Sequence, residues 1–541
     1  MKLVAIDFET YYDDQVSVTQ LGAEAYSRHP LAIVYAVALS WRDGNGEIQE
    51  LALVSDGPIQ SEKDYAKLLL QWAMLADNGY AAVAHNASFE DAFLRNKLPE
   101  WHQPAEWVDT ADLGAYCDQG RSLADVMLNL FGKERDKTVR SAAKGKLPEK
   151  GTPAFDEMVE YVSEDSTDSL RIAEKCLRFW PKHERRLSSL TLEMGKRGLA
   201  VDDERIREAT VSLRTLLAET ESKIPWRNEA TWPTKFRQRF SEKTGKELKL
   251  GPLPAKGSVK ALELQAELDG ITLPTTAEGK VTTNKKSDEW ADWMKVEENA
   301  NWGPMKLISE HRSLNRTLAV VEAIDRRVVD ARCRYSLKYF GAHTGRDSGG
   351  GGLNLQNLTR DAAGGVKLRK LFCAPAGKQL AVVDLASIEA VVLAYECGNW
   401  ELYNLYADGM DFYEAAARAL GLYEGQSPMK KFDPNGRNLA KVIVLALGYG
   451  MGTDRFQITA GQWGVPLDFE QADHYKALFH KTFPMVRRFW KKLECIVLHT
   501  DEPWQDVPMP SGRSIRYYGP HRYIDEDGGA RWRVRLTPNG L

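Results

Sequence analysis

QLAVVDLASIE at 379–389 and RNLAKVIVLALGYG at 437–450 decide how this chain is read. The first begins with an apolar run that reads as a buried strand, Gln379 to Leu385. The strand ends on Asp384, whose carboxylate would stand beside the Leu385 carbonyl, a pair of hard oxygen donors suited to a divalent cation. The second segment reads as a helix that sets Arg437, Lys441, Leu445 and Tyr449 four residues apart. Each step of four drifts about 40° around the axis, so these side chains form one gently spiralling stripe. Two cations one turn apart suit a triphosphate.

At 541 residues the chain is too long for one compact core and calls for several domains. Its net charge of −4 does not announce a nucleic-acid binder, although basic residues lining a cleft would still serve one. The six cysteines contain no CxxC pair, which argues against zinc and a disulfide framework and fits a reducing compartment. An acid at Asp7 interrupts the opening apolar stretch, and no long uncharged run follows, so a cytoplasmic protein without a membrane span is expected.

The N-terminal part reads as α/β. Strands are expected over 2–8, 31–41, 47–54 and 81–84, with a helix over 61–76 and another carrying Tyr161 to Phe179. Asp7 and Glu9 lie two apart on a strand and leave the same face. Glu90 and Asp91 open a helix, and Tyr161 and Asp165 share a helical face. Acids converging without cysteine or histidine suit Mg²⁺ or Mn²⁺, and two such ions activate water and stabilise a departing phosphodiester oxygen. The segment 133–150 holds seven Lys/Arg against three acids and reads as a solvated loop, with contact to a DNA strand as the alternative. From 185 to 327 the pattern is mostly helical, with interruptions at 244–258 and 276–287.

The spacings Asp7-x-Glu9, Asn86-x-x-Phe89-acid and Tyr161-x-x-x-Asp165 resemble the three motifs of the proofreading 3′–5′ exonucleases. The resemblance implies metal binding by Asp7, Glu9, Asp165 and a fourth acid, either Glu90 or Asp91. It also implies that Tyr161 orients the attacking water or the scissile phosphate.

Downstream, TGRDS at 344–348 with LNLQNL at 353–358, the strand ending in Asp384, and the 437–450 helix resemble the family A DNA polymerases. The resemblance implies that Thr344, Arg346, Gln356 and Asn357 touch DNA, with Arg346 at the primer end. Donors in the minor groove test shape without reading sequence. Asp384 and the Leu385 carbonyl would hold two Mg²⁺ or Mn²⁺ ions, and Glu389 would exclude a 2′-hydroxyl. Arg437 and Lys441 would grip dNTP phosphates, Lys441 also protonating the pyrophosphate. Tyr449 would lie near the templating base. Three departures are visible: Ala390-Val391 after Glu389, Leu445 where the family usually has an aromatic ring, and Tyr413 at a position often held by histidine.

The family's motif C, an adjacent His-Asp-Glu on a buried hairpin, has no match. HTDE at 499–502 has an intervening Thr and is followed at once by Pro503, which spoils a central strand. The stretch 510–517 reads instead as a hairpin preceding that motif.

The expected fold is therefore α/β multidomain. An RNase H-like exonuclease domain (1–185) precedes a right-hand polymerase with thumb (186–335), palm (336–400), fingers (401–500) and a partial return to the palm (501–541). Expected partners are primer-template DNA, dNTPs and a second polypeptide carrying motif C, as in a split polymerase; a truncated or interrupted gene gives the same sequence. The alternatives are a nuclease with a polymerase-like DNA clamp and a non-catalytic replisome component.

Overall fold

The strand Leu3–Thr10 (β1) organises the first half of this computed structural model, which describes all residues except 137, 228–237, 239–240, 243–257, 277, 284–286, 343, 499–501, 525–529 and 536–541. Val4, Ile6 and Phe8 enter one core with Val37, Leu39, Trp72 and Phe93. Leu3 and Ala5 enter another with Val83, Leu170 and Ala173. This alternation follows from the two-residue period of a strand.

β1 lies at the centre of a five-stranded sheet with Val34–Arg42 (β2), Ile48–Val54 (β3), Ala81–Ala84 (β4) and Trp107–Asp109 (β5), in the order β3-β2-β1-β4-β5. β1 pairs antiparallel with β2 and parallel with β4, while β2–β3 is antiparallel and β4–β5 parallel. The helix Pro153–Cys176 packs across the Leu3/Ala5 face, burying Val162, Leu170 and Ala173. Pro at its first turn suits a position whose N–H would have no partner. Helices Val18–Arg28, Tyr65–Asp77 and Ser88–Lys97 flank the same domain.

The chain forms two compact units, Met1–Leu380 and Ala381–Leu541. The boundary falls inside the 336–400 segment expected to form a palm. In the first unit, helices Asp203–Lys223 and Gly303–Asp325 pack through Leu213, Leu314, Val321 and Ile324. The interruption expected at 244–258 lies, except for residue 258, outside the described residues. So do 499–501 of the HTDE stretch and the chain end.

In the second unit, helices Ile388–Glu396, Phe412–Ala419, Pro434–Gly448 and Phe469–Thr482 share one apolar core. Strands Trp504–Pro508 and Ser514–Ile524 form the antiparallel hairpin expected around 510–517, joined by Ala530–Arg535. No helix among the described residues is long and apolar enough to cross a membrane.

The strand expected over 379–385 does not form. Those residues lack regular structure, and Val382 and Val383 are 90% and 86% exposed. A strand is made by its neighbour's hydrogen bonds, and no described segment pairs with this one.

One buried cation ties the first unit together. Arg327 is 2% exposed and donates to the carbonyls of Ala323 (2.8 Å), Thr19 (2.8 Å) and Gly351. Replacing it leaves buried carbonyls without donors, each costing about 1–3 kcal/mol. Arg327→Met is expected to destabilise the protein by about 3 kcal/mol, read as a lower urea midpoint.

Candidate functional site

The parity of β1 sends Asp7 and Glu9 toward the face covered by Pro153–Cys176, the helix that carries Tyr161 and Asp165. Asp7, Glu9 and Asp165 offer carboxylate oxygens within 4.8 Å of one another. Glu90 joins from the first turn of Ser88–Lys97, which begins just beyond the end of β4. That turn is held by Asp109, whose carboxylate accepts from the Asn86 (3.1 Å) and Ala87 (2.8 Å) N–H groups, with Asn86 at φ 74°. Strand ends and a helix start thus bring four acids to one edge of the sheet.

The acids are poorly compensated. Asp7 Oδ2 and Glu90 Oε2 are buried without a hydrogen-bond partner. Burial pushes the Asp7 carboxyl well above the usual range, and Glu9 beside it adds to the rise. Burial, then Asp7, does the same to Glu90. Glu9 is raised by burial, with Arg140 pulling the other way. Burial and the neighbouring Glu9 raise the Tyr161 phenol to about 12, so it stays a hydrogen-bond donor at neutral pH.

Geometry separates the two candidate fourth acids. Asp91 is paired with Arg95 at 2.8 Å and lies 3.4 Å from Lys196, whereas Glu90 faces Asp7 electrostatically and is 3% exposed. All-oxygen donors with orphaned buried atoms fit a hard divalent cation.

The segment 133–150 was expected to be a solvated loop; most of its described residues are exposed, but it carries the short helix Thr138–Ala142 and is anchored at three apolar side chains. Val139, Ala143 and Leu147 pack against Met158, Val162 and Tyr161. Arg135 ion-pairs with Asp165, with Glu164 at 3.0 Å and with Asp168 at 2.6 Å; Lys133 reaches Asp168 at 3.0 Å. The available signal was the four-residue spacing of those apolar side chains within a basic run.

In the second unit, the helix Pro434–Gly448 is buried throughout 440–448 except at Lys441 and Leu445. With half-buried Arg437 they form the stripe that the spacing predicted, and Tyr449 follows it 67% exposed. Arg437 pairs with Asp411 at 2.6 Å and lies over the Tyr413 ring, 5.2 Å from its centroid. Burial would raise the Asp411 carboxyl, but Arg437 and the Glu414 and Tyr413 N–H groups hold it below the usual range. Tyr413 is only 6% exposed, so it supports Arg437 from beneath.

Asp384, Leu385 and Glu389 are exposed, and Tyr406 Oη donates to the Ala386 carbonyl at 3.1 Å. Thr344, Arg346, Gln356 and Asn357 all belong to the first unit, with Thr344 and Arg346 exposed.

Residues 263–499 match the family model described as DNA polymerase family A. The chain is 31% identical over 178 residues to the thermostable DNA polymerase I of Thermus aquaticus, and 28% identical over 178 residues to that of Thermus filiformis. Each alignment covers 32% of this chain, which spans only 18% of the length of those relatives. A DNA polymerase of Bacillus phage SP02 is 23% identical across 98% of this chain and 84% of its own. Among solved structures, the POL domain of Pol1 from M. smegmatis, in complex with DNA primer-template and dNTP, matches with a TM-score of 0.57 at 20% identity. That likeness covers 95% of this chain and 77% of that one, and it shows a shared fold.

Because the buried acids hold protons that the unfolded chain has released, metal-free stability should fall as pH rises from the ordinary carboxylate range through the raised values. In EDTA the melting temperature is expected to be lower at pH 8 than at pH 6. Asp7→Asn should flatten that slope and stabilise the metal-free protein at pH 8 by about 1 kcal/mol.

Proposed function

We infer that this chain, whose residues 263–499 match the DNA polymerase family A model, is a polymerase of that family that extends a primer on a template with dNTPs and removes 3′-terminal nucleotides at a second site. The observation that carries the nuclease half is the convergence of Asp7, Glu9 and Asp165 within 4.8 Å beside two orphaned carboxylate oxygens. The mixed sheet with β1 at its centre supports an RNase H-like reading of 1–185.

Asp7, Glu9, Glu90 and Asp165 would hold the cations, Mg²⁺ or Mn²⁺. Two ions held there would make a water more nucleophilic and stabilise the leaving oxygen. Tyr161 keeps its proton and would donate a hydrogen bond that orients water or the scissile phosphate. Arg135 must yield its contact to Asp165 when a cation binds, while Glu164 and Asp168 retain it.

For synthesis, Arg437 and Lys441 would grip the triphosphate, and Asp384 with the Leu385 carbonyl would anchor two further ions. Asp411 and Tyr413 fix Arg437 in place for that task. Leu445 and Tyr449 continue the stripe toward sugar and template base, with Glu389 excluding a 2′-hydroxyl. Thr344, Arg346, Gln356 and Asn357 would hold the primer-template.

The exposed apolar run 379–385 supports one further element: a strand-bearing second polypeptide that carries motif C, covers Val382 and Val383, and brings the missing carboxylate to Asp384. Likeness to a phage polymerase along 98% of the chain supports a phage-type enzyme working in host cytoplasm. The same exposed run favours a second reading, a nuclease whose polymerase half only clamps DNA.

With Mg²⁺, the isolated chain is expected to degrade single-stranded oligonucleotides, and Asp7→Ala with Glu9→Ala to lose at least 100-fold of that rate. It should extend primers little until a polypeptide bearing the His-Asp-Glu hairpin is added. Robust extension by the chain alone would refute the split arrangement. Failure of every such addition would favour the clamp. In the extending complex, Leu445→Phe should change the ratio of dideoxy- to deoxynucleotide use several-fold, and equal ratios would remove Leu445 from sugar discrimination.

A further inference from the structure

We propose that Arg140 is a positioning residue of the nuclease, gripping the phosphodiester that joins the departing 3′ nucleotide to its strand. This rests on the nuclease reading of Asp7, Glu9, Glu90 and Asp165.

Those acids line a cavity of about 670 Å³, and Arg140 and Lys338 line it too. The volume falls within the range of about 300–1,000 Å³ that takes a small-molecule-sized group such as a nucleotide. A wall of carboxylates repels an incoming phosphodiester, so binding needs a cation on the protein side as well as bound metal.

The other cavity arginines are committed elsewhere. Arg135 is held by Asp165, Glu164 and Asp168. Arg121 pairs with Asp112 at 2.6 Å and donates to the Tyr339 carbonyl at 2.5 Å. Arg140 makes no ion pair among the described residues, although Glu9, Tyr161 and Asp7 all act on it through space. A guanidinium near the acids but not closed onto them leaves room between for a bound anion.

The backbone around Arg140 is fixed rather than loose. Tyr12 Oη donates to the Arg140 carbonyl at 2.8 Å, and the Gly145 N–H donates to the Tyr12 carbonyl at 2.8 Å. Val139, Ala143 and Leu147 seat the segment on the long helix. Tyr12 follows β1 by two residues, so the strand that presents Asp7 and Glu9 also positions Arg140. A fork of N–H donors held there can take two phosphate oxygens at once.

The test compares wild type, Arg140→Gln and Arg140→Lys on a single-stranded oligonucleotide, with Mn²⁺ binding measured calorimetrically without DNA. Arg140→Gln should raise KM at least tenfold, bind Mn²⁺ as well as wild type or better, and melt within a few degrees of it. Arg140→Lys should recover part of the loss in KM. Unchanged KM in Arg140→Gln overturns the proposal, as does a lysine variant as impaired as the glutamine one. A separate failure is recognisable: wild type that neither degrades DNA nor loses Mn²⁺ binding on Asp7→Asn removes the nuclease reading, and this proposal with it.

Discussion

Buried like charge governs the first unit. The two-residue period of β1 places Asp7 and Glu9 on one face, and the long helix returns Asp165 to the same spot. Nothing in folding alone favours this meeting. Desolvation and mutual repulsion both oppose it, and the raised carboxyls record that cost. The surroundings answer with cations: Arg135 on Asp165, and Arg140 within electrostatic reach of Glu9. Such an arrangement breaks the rule that buried charge is paired, and such breaches concentrate where function needs them.

The stripe on Pro434–Gly448 follows the opposite logic. There the helix is buried from Ala440 to Gly448 except at Lys441 and Leu445, which continue the line begun by half-buried Arg437. The apolar core fixes the helix's rotation, so the cations leave it on one side. Arg437 is further restrained by an ion pair and by the ring beneath it, which limits the rotamers open to a long side chain. A rigid donor loses less entropy when an anion arrives.

Features written in local periodicity were legible in the sequence. The parity of Asp7 and Glu9, the shared face of Tyr161 and Asp165, and the four-residue stripe depend only on strand or helix geometry. The choice between Glu90 and Asp91 was left open by the sequence; in the structure Arg95, four residues after Asp91, pairs with it on the same helical face. The reach of 133–147 was not legible. Its lysines and arginines give a solvated composition, while its destination on Met158 and Val162 is a long-range fact. The 379–385 segment failed for a related reason. Its apolar run matches a buried strand, yet a strand exists only where another backbone accepts its hydrogen bonds.

That last failure separates the two sites physically. The meeting of Asp7, Glu9 and Asp165 needs only the packing of helix on sheet, and both elements lie within Met1–Leu380. Asp384 instead sits in irregular chain between exposed valines and an exposed leucine, with Ser387 held at φ 54° just beyond it. A carboxylate on such a segment samples many directions, and a metal must overcome that entropy before it gains a ligand. Pairing this backbone with a neighbouring strand would remove both penalties together. It would bury Val382 and Val383, and it would fix the direction in which Asp384 leaves the chain. A cation at Asp384 would therefore be coupled to strand pairing, whereas a cation at Asp7 would be coupled only to the fold already present.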